Sequence, residues 1–245
     1  MQNKTFRQSI EFFESKLKNG DNFTLSKYAD GEWAVIKNVP INNKEFWFNP
    51  NDQTDQEKRS VLIESFQYKN LNYYVGISCP CCQGIDTFNE MYEFSNQDEE
   101  NLTWANIWVN SNYSYYVENI IPIFQEREII IFCNELGDIK NLPFVPRIVF
   151  PVKNNAWQYN WKQIEMAKTI ISANNIKNNI FLFCCGPFGN ILAYELTKYC
   201  PDNVYLDIGS TLNPWLKSAG FERHYYMGNN IFSNLTCLWG NNETR

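Results

Sequence analysis

NNIFLFCCGPFGNILAYELTKYCPDNVYLDIGS, residues 178–210, reads as a strand, a tight turn, a helix and a second strand. The run NIFLFCC (179–185) is apolar from Ile180 onward, the pattern of a strand buried on both sides, as in parallel sheets covered by helices. Gly186-Pro187-Phe188-Gly189 breaks it, NILAYELTKY (190–199) carries a helical pattern, and NVYLDIG (203–209) returns to strand character. The same alternation extends upstream. EIIIFC (128–133) and RIVFPV (147–152) are buried-strand runs, and residues 156–173 place Ile164, Ala167 and Ile171 on one helical face. Strands alternating with helices predict an α/β, Rossmann-like, mainly parallel sheet with helices on both faces.

The N-terminal part is less regular. Phe6, Ile10, Phe13 and Leu17 share a helical face over residues 6–18, which Asn19-Gly20-Asp21 ends. NFTLSKY (22–28) reads as a short strand running into an Ala29-Asp30-Gly31-Glu32 turn. A helix is expected over 52–68, capped by Asp52 or Thr54 with Val61, Leu62 and Phe66 buried, and a strand over 73–78. Asp98-Glu99-Glu100 then resembles the acidic first turn of a Trp-rich helix reaching about residue 110. Another helix is expected over 113–121, ending near Pro122. With 245 residues, no repeats and no Gly/Ser/Pro-rich linker, the chain reads as one domain: an N-terminal Asp-Gly-Glu segment (1–125), a Rossmann-like half (126–216) and a C-terminal tail (217–245).

Composition narrows the function classes. The 27 acidic residues against 21 Lys and Arg give a net charge of −6, which argues against a nucleic-acid footprint built on clustered cations. Hydrophobic residues at 44% supply a core and exclude global disorder. No run approaches the ~18 apolar residues of a membrane span. The N-terminus lacks the apolar stretch of a signal peptide, so a soluble, cytoplasmic protein is expected.

Ligands in open α/β sheets bind outside the carboxyl ends of the strands. Three segments put glycine or carboxylates just after a strand, and parallel strands would bring all three to one edge. Asp30-Gly31-Glu32 offers two carboxylates that could converge on a divalent cation, Gly31 allowing the turn; the same tripeptide also reads as a solvated acidic turn. Gly186-Pro187-Phe188-Gly189 could present backbone N–H groups and a helix N-terminus to a phosphate, or simply connect strand to helix. It lacks the full G-x-G-x-x-G spacing. Asp207, about twenty residues on, could take ribose hydroxyls or cap the next helix.

The eight cysteines read as reduced thiols, several packed as small hydrophobes in strands. Cys79-Pro80-Cys81-Cys82 hints at zinc, but a structural site needs four ligands, usually in paired spacings; no second CxxC follows, and the sole histidine is His224. The loop is therefore read as a rim of the site or as plain structure. Nothing in the sequence pairs a cysteine nucleophile with His224, which is read as a surface or core residue. Trp33, Trp47, Trp104, Trp108, Trp157 and Trp161 are candidates for stacking on sugar rings, although i,i+4 spacing is also what a packed helix face gives.

Taken together, these segments resemble the glycosyltransferases of the GT-D fold. Lys27-Tyr28-Ala29-Asp30-Gly31-Glu32 is similar to that family's Arg-Phe-Gly-Asp-Gly-Glu motif. Pro151 with Asn155-Ala156 and Tyr159, then Gly186-Pro187 with Leu192-Ala193-Tyr194-Glu195-Leu196, then Asp207-Ile208-Gly209 follow in the family's order, over about residues 23–216. Three positions depart from it: Lys27 stands for Arg, Ala29 for Gly, and Ser210 for the usual His. Lys27 keeps the charge without the bidentate fork.

The resemblance implies a nucleotide-sugar donor, a UDP-sugar by analogy, with Mn²⁺ or Mg²⁺ held at Asp30 and Glu32. It implies Gly186 and Pro187 in the donor pocket, with Lys27, Tyr28, Gly31 and Gly189 also placed at the substrate. A glycan or glycoconjugate would be the acceptor. Glu135 and Asp207 are the candidate bases for an inverting reaction. A homodimer is compatible with this reading. The competing reading is a Rossmann-like methyltransferase or NAD-dependent oxidoreductase using the Gly186–Gly189 turn, and a third is a non-catalytic interaction domain.

Overall fold

Successive residues of the strands point to opposite faces of one sheet, and both faces are apolar. Leu25, Tyr74, Ile129, Ile131, Leu182 and Leu206 contribute to one core, while Tyr73, Val75, Ile130, Phe132, Phe183 and Tyr205 contribute to the other. That is the consequence of strands without a polar side. The computed structural model describes residues 5–43, 46–217, 223–226 and 237. Its strands are β1 (Thr24–Lys27), β2 (Ile41–Asn42), β3 (Trp47–Phe48), β4 (Tyr73–Ile77), β5 (Leu102–Trp104), β6 (Ile129–Asn134), β7 (Ile148–Val152), β8 (Ile180–Phe183) and β9 (Val204–Asp207).

Seven of these form one sheet in the order β5-β4-β1-β9-β8-β6-β7, and every pairing in it is parallel. β2 and β3 make a separate antiparallel pair. The Rossmann-like expectation holds, and the N-terminal half adds three strands to the sheet: those expected at 22–28 and 73–78, and β5 beside them. β1 and β9 join the halves, with Thr24 opposite Tyr205 and Leu25 opposite Leu206. The connection after β8 leads to β9 and that after β6 leads to β7, so the chain diverges between β8 and β6.

Helices cover both faces. The helix Phe6–Asn19 begins with a Thr5–Gln8 capping box and ends at Gly20 in the left-handed region, φ 74°. It buries Phe6, Ile10, Phe13 and Leu17, as its period predicts. On the other face lie the helices Gln53–Gln67, Lys162–Ala173 and Pro187–Tyr199. The helix Gln53–Gln67 is capped by Asp52, and it buries Leu62 and Phe66 with Val61 half-buried. Asp55 on it is buried and ties the helix to residues 156–159, accepting from Trp157 Nε1 at 2.9 Å and Gln158 Nε2 at 2.6 Å.

Three local expectations fail for physical reasons. The Trp-rich helix is absent: a short 3₁₀ turn, Glu99–Asn101, leads straight into edge strand β5, because pairing with β4 outweighs local helical pattern. The helix beginning at Tyr113 does not stop at Pro122. It passes through a wide π turn, Tyr116–Ile120, and continues over Ile121–Gln125, with Pro122 in the first turn of that last segment, where its missing N–H costs little. The expected 156–173 helix is two, Ala156–Tyr159 and Lys162–Ala173. Among the described residues no helix is long and apolar enough to cross a membrane.

Gly76 lets β5 approach β4. A Cβ there would lie 3.1 Å from Trp104 O and 3.2 Å from Ala105 N, backbone atoms that cannot swing aside. Gly76→Ala should therefore destabilise the protein by about 1–3 kcal/mol. Urea unfolding should show this as a lower midpoint at an unchanged slope.

Candidate functional site

The parallel sheet brings the three glycine- and carboxylate-bearing segments to its carboxyl edge: residues 28–32 after β1, 184–189 after β8, and 208–210 after β9. β1 and β9 are neighbours, so the first and third meet directly. Asp207 is the junction. Its Oδ2 accepts from the Lys27 backbone N–H at 3.3 Å, its Oδ1 accepts from Gly209 N–H at 3.0 Å, and the Lys27 ammonium stands 3.9 Å from Oδ1. Burial pushes the Asp207 carboxyl up, opposed by the Lys27 charge and the two backbone donors. Asp207 does not cap the next helix; it closes a turn on Gly209. Gly209 is in the left-handed region, φ 57°, and a Cβ there would come 3.3 Å from Lys27 Nζ. Glycine thus leaves room for the only cation at this junction among the described residues.

Asp30 and Glu32 lie in the first turn of a helix, Asp30–Ile36, and not in a glycine-dependent turn. Gly31 is an ordinary helical residue with open space beside it. This corrects the reason for the glycine: no special backbone angle requires it. Residues i and i+2 do not share a helical face, and the two carboxylates differ accordingly. Glu32 turns back to accept the Ala29 N–H at 2.9 Å, half of a capping box whose other half Ala29 cannot supply. Asp30 is exposed. Burial pushes Glu32 up to about 7, with the Asp207 carboxylate next in importance and Asp30 adding a little. A carboxyl in that range can exchange a proton at neutral pH.

Gly186 carries the turn after β8 in the left-handed region, φ 56°, and is exposed. Pro187 is the first residue of the helix Pro187–Tyr199 and is buried. Gly189 is a packing residue: a Cβ there would sit 3.2 Å from Phe183 Cβ, and its N–H donates to Gly186 O at 2.7 Å. The same helix is fixed to β1 by Asn190, whose Nδ2 donates to Lys27 O at 2.8 Å and Ser26 Oγ at 3.0 Å. This places the Gly186 turn beside the Lys27–Asp207 junction. Burial pushes the thiols of Cys184 and Cys185 well up, so both stay protonated at neutral pH.

Other expected residues lie elsewhere. Tyr28 is fully buried, its ring against Phe66 and its hydroxyl bonded to Ser65 Oγ at 2.8 Å; it supports the edge and does not line it. Glu135 is exposed at the end of β6, three strands from β1, or about 14 Å by strand spacing. Ser210 is held by the C-terminal segment: its hydroxyl pairs with Tyr225 Oη at 2.6 Å, and its carbonyl accepts from Tyr226 Oη at 2.6 Å. Of the tryptophans, Trp33, Trp104, Trp108 and Trp157 are buried. Trp47 is exposed and packs edge-on against exposed Tyr159, ring centroids 5.7 Å apart. The side chain of His224 lies outside the described residues.

The cysteine loop overturns a sequence expectation. Cys79, Cys81 and Cys82 are joined by Cys237, and all four sulfurs lie within 4.8 Å of one another. The fourth thiol comes from the C-terminal tail, 155 residues beyond Cys82, which no local spacing could reveal.

No known family profile and no curated protein matches the chain. Two solved structures do. One is described as showing that the highly conserved domain of unknown function 1792 has a distinct glycosyltransferase fold, the other as a selenomethionine-substituted structure of that domain. Each aligns with a TM-score of 0.54 at 14% identity, covering 85% of this chain and 79% of the other. The likeness shows that this chain has a glycosyltransferase fold.

The raised Glu32 value has a consequence for stability. The folded protein holds a proton that the unfolded chain releases between about pH 4.5 and 7. Its stabilising contribution is present in full at the acid end of that window and is lost as pH rises through it. In metal-free protein, Glu32→Gln, which keeps the Ala29 bond, should gain stability relative to wild type as pH rises from 5 to 8, by at most about 3 kcal/mol. Melting curves against pH should show the two proteins diverging with pH.

Proposed function

We propose that the protein is a metal-dependent glycosyltransferase that moves a sugar from a nucleoside-diphosphate donor, a UDP-sugar by resemblance, to a hydroxyl of a glycan or other acceptor. The observation that carries this reading is the junction of Lys27, Glu32 and Asp207 at the carboxyl edge of a glycosyltransferase fold, beside the Gly186 turn.

The donor set suits a hard divalent cation. Asp30 and Glu32 supply oxygen ligands from one helical turn; burial is the main cause of the raised Glu32, and the like charges of Asp207 and then Asp30 add to it. Asp30 and Glu32 would hold Mn²⁺ or Mg²⁺. When bound, such an ion offsets charge on a leaving diphosphate. The chain's own residues would do the rest. Lys27, pinned by Asp207 and given space by Gly209, would place a fixed cation where diphosphate charge grows. The exposed Gly186 turn opens the helix N-terminus, which favours an anionic group. Of the two candidate bases, Asp207 would be the nearer to this junction, since it borders Lys27 directly while Glu135 lies three strands from β1.

The Gly186 turn by itself also suits the phosphate of a dinucleotide, which keeps the oxidoreductase or methyltransferase reading in view. The two differ in ligand. A glycosyltransferase should gain thermal stability with UDP-sugar plus Mn²⁺; the alternative should gain it with NAD or S-adenosylmethionine without metal.

With Mn²⁺, the wild-type protein should slowly release UDP from a UDP-sugar. Asp30→Ala should abolish this, and Lys27→Ala should lower it by about 10²–10³-fold. Asp207→Asn should lose transfer while Glu135→Gln retains it, each variant checked for folding by circular dichroism. Equal turnover by wild type and Asp30→Ala would discard the assignment.

A further inference from the structure

We infer that Cys79, Cys81, Cys82 and Cys237 form a structural zinc site that fastens the C-terminal segment to the loop after β4. This inference is independent of the function proposed above.

The geometry is that of one tetrahedral ion. A zinc–sulfur bond of about 2.3 Å sets the edge of an S₄ tetrahedron at about 3.8 Å. The sulfur separations are 3.6 Å for Cys79–Cys237, 3.6 Å for Cys82–Cys237, 3.8 Å for Cys81–Cys237 and 3.9 Å for Cys81–Cys82; Cys79–Cys81 is shorter, at 3.0 Å. None is a disulfide, and all eight cysteines are free. Four thiolates are soft ligands in the arrangement that selects zinc over the hard cations suited to carboxylates.

Local structure builds the site. Cys79 caps a single helical turn, Pro80–Gln83, in which Cys82 N–H and Gln83 N–H both donate to Cys79 O. That turn gathers three thiols from four consecutive residues. Two side-chain amides then point at the sulfurs: Asn106 Nδ2 donates to Cys82 at 3.2 Å, and Asn110 Nδ2 donates to Cys237 at 3.2 Å. Asn110 is buried and adopts a left-handed backbone, φ 54°. N–H donors to sulfur are the outer-shell partners that spread the negative charge of a tetrathiolate centre. The other four cysteines do not gather: Cys133 is in β6, Cys184 and Cys185 follow β8, and Cys200 ends the helix Pro187–Tyr199.

With four protein thiolates, no coordination position is left for substrate, so the ion is structural. Binding oxidises nothing: each of four thiols gives its proton to solvent as its sulfur bonds zinc, leaving a centre of net charge −2. The ion would pin Cys237 beside β4, the strand adjacent to β1, on the edge where Tyr225 and Tyr226 already grip Ser210.

The test is metal analysis of full-length protein purified under reducing conditions without chelator. One zinc per chain is expected. Titrating the wild type with an organomercurial should release that zinc in step with about four thiols. Cys81→Ser and Cys237→Ser should lose the metal, with the melting temperature falling by at least about 5 °C, while Cys200→Ser keeps both. Should the cluster variants fail to fold, cobalt-substituted wild type gives the reading instead, through the intense visible bands of a tetrahedral tetrathiolate. Folded wild type that holds no zinc and gives no such bands, stoichiometric iron in its place, or a disulfide within the four would each overturn the assignment.

Discussion

The carboxylate of Asp207 closes the seam between the halves of the sheet. β9 and β1 pair through backbone only at Thr24–Tyr205 and Leu25–Leu206. Past that point the Asp207 side chain takes over the ladder by accepting the Lys27 N–H, and its other oxygen closes on Gly209. A buried carboxylate is costly unless its lone pairs and charge are matched. Here two backbone donors and one ammonium provide the match, so Lys27, Gly209 and the ends of both strands are fixed together. The rest of the edge inherits its geometry from this seam: Asn190 reads the Lys27 carbonyl, and the helix carrying Glu32 starts three residues after Lys27.

That arrangement also explains the electrostatic character of the edge. One ammonium stands against three carboxylates, and at half-buried Glu32 burial first, then the Asp207 charge, pushes the carboxyl up. Asp30, two residues away and exposed, stays in solvent. A surface with surplus carboxylate next to an open helix N-terminus and a fixed lysine has both signs of charge laid out in a small area. The proposed donor and its cation would use that layout, which is a property of the site rather than of the fold.

The cysteine cluster and the carboxylate seam occupy the same edge of the sheet but differ in chemistry. One is sulfur-rich, with its thiols drawn together by a single turn and the tail; the other is oxygen-rich and organised by strand ends. Hard and soft ions would sort between them by ligand type alone. Tyr225, Tyr226 and Cys237 show that the C-terminal segment reaches this edge at two places, over Ser210 and at the Cys79–Cys82 turn.

The sequence by itself determined the elements whose pattern is local. The four strands β6 to β9, the Phe6–Asn19 helix with its stop at Gly20, the Gln53–Gln67 helix, and the gathering of Asp30, Gly186 and Asp207 on one edge all follow from apolar runs, turn residues and the alternation of strand and helix. Three things belonged to tertiary structure. Leu102–Trp104 became a strand because β4, with Gly76 at the contact, offered it backbone partners. Tyr28 went to the core because Phe66 and Ser65 receive its ring and hydroxyl. Cys237 completed the sulfur cluster because folding returns the tail to the end of β4. Periodicity records which way a side chain points within its own element; it carries no record of which distant residue will be waiting there.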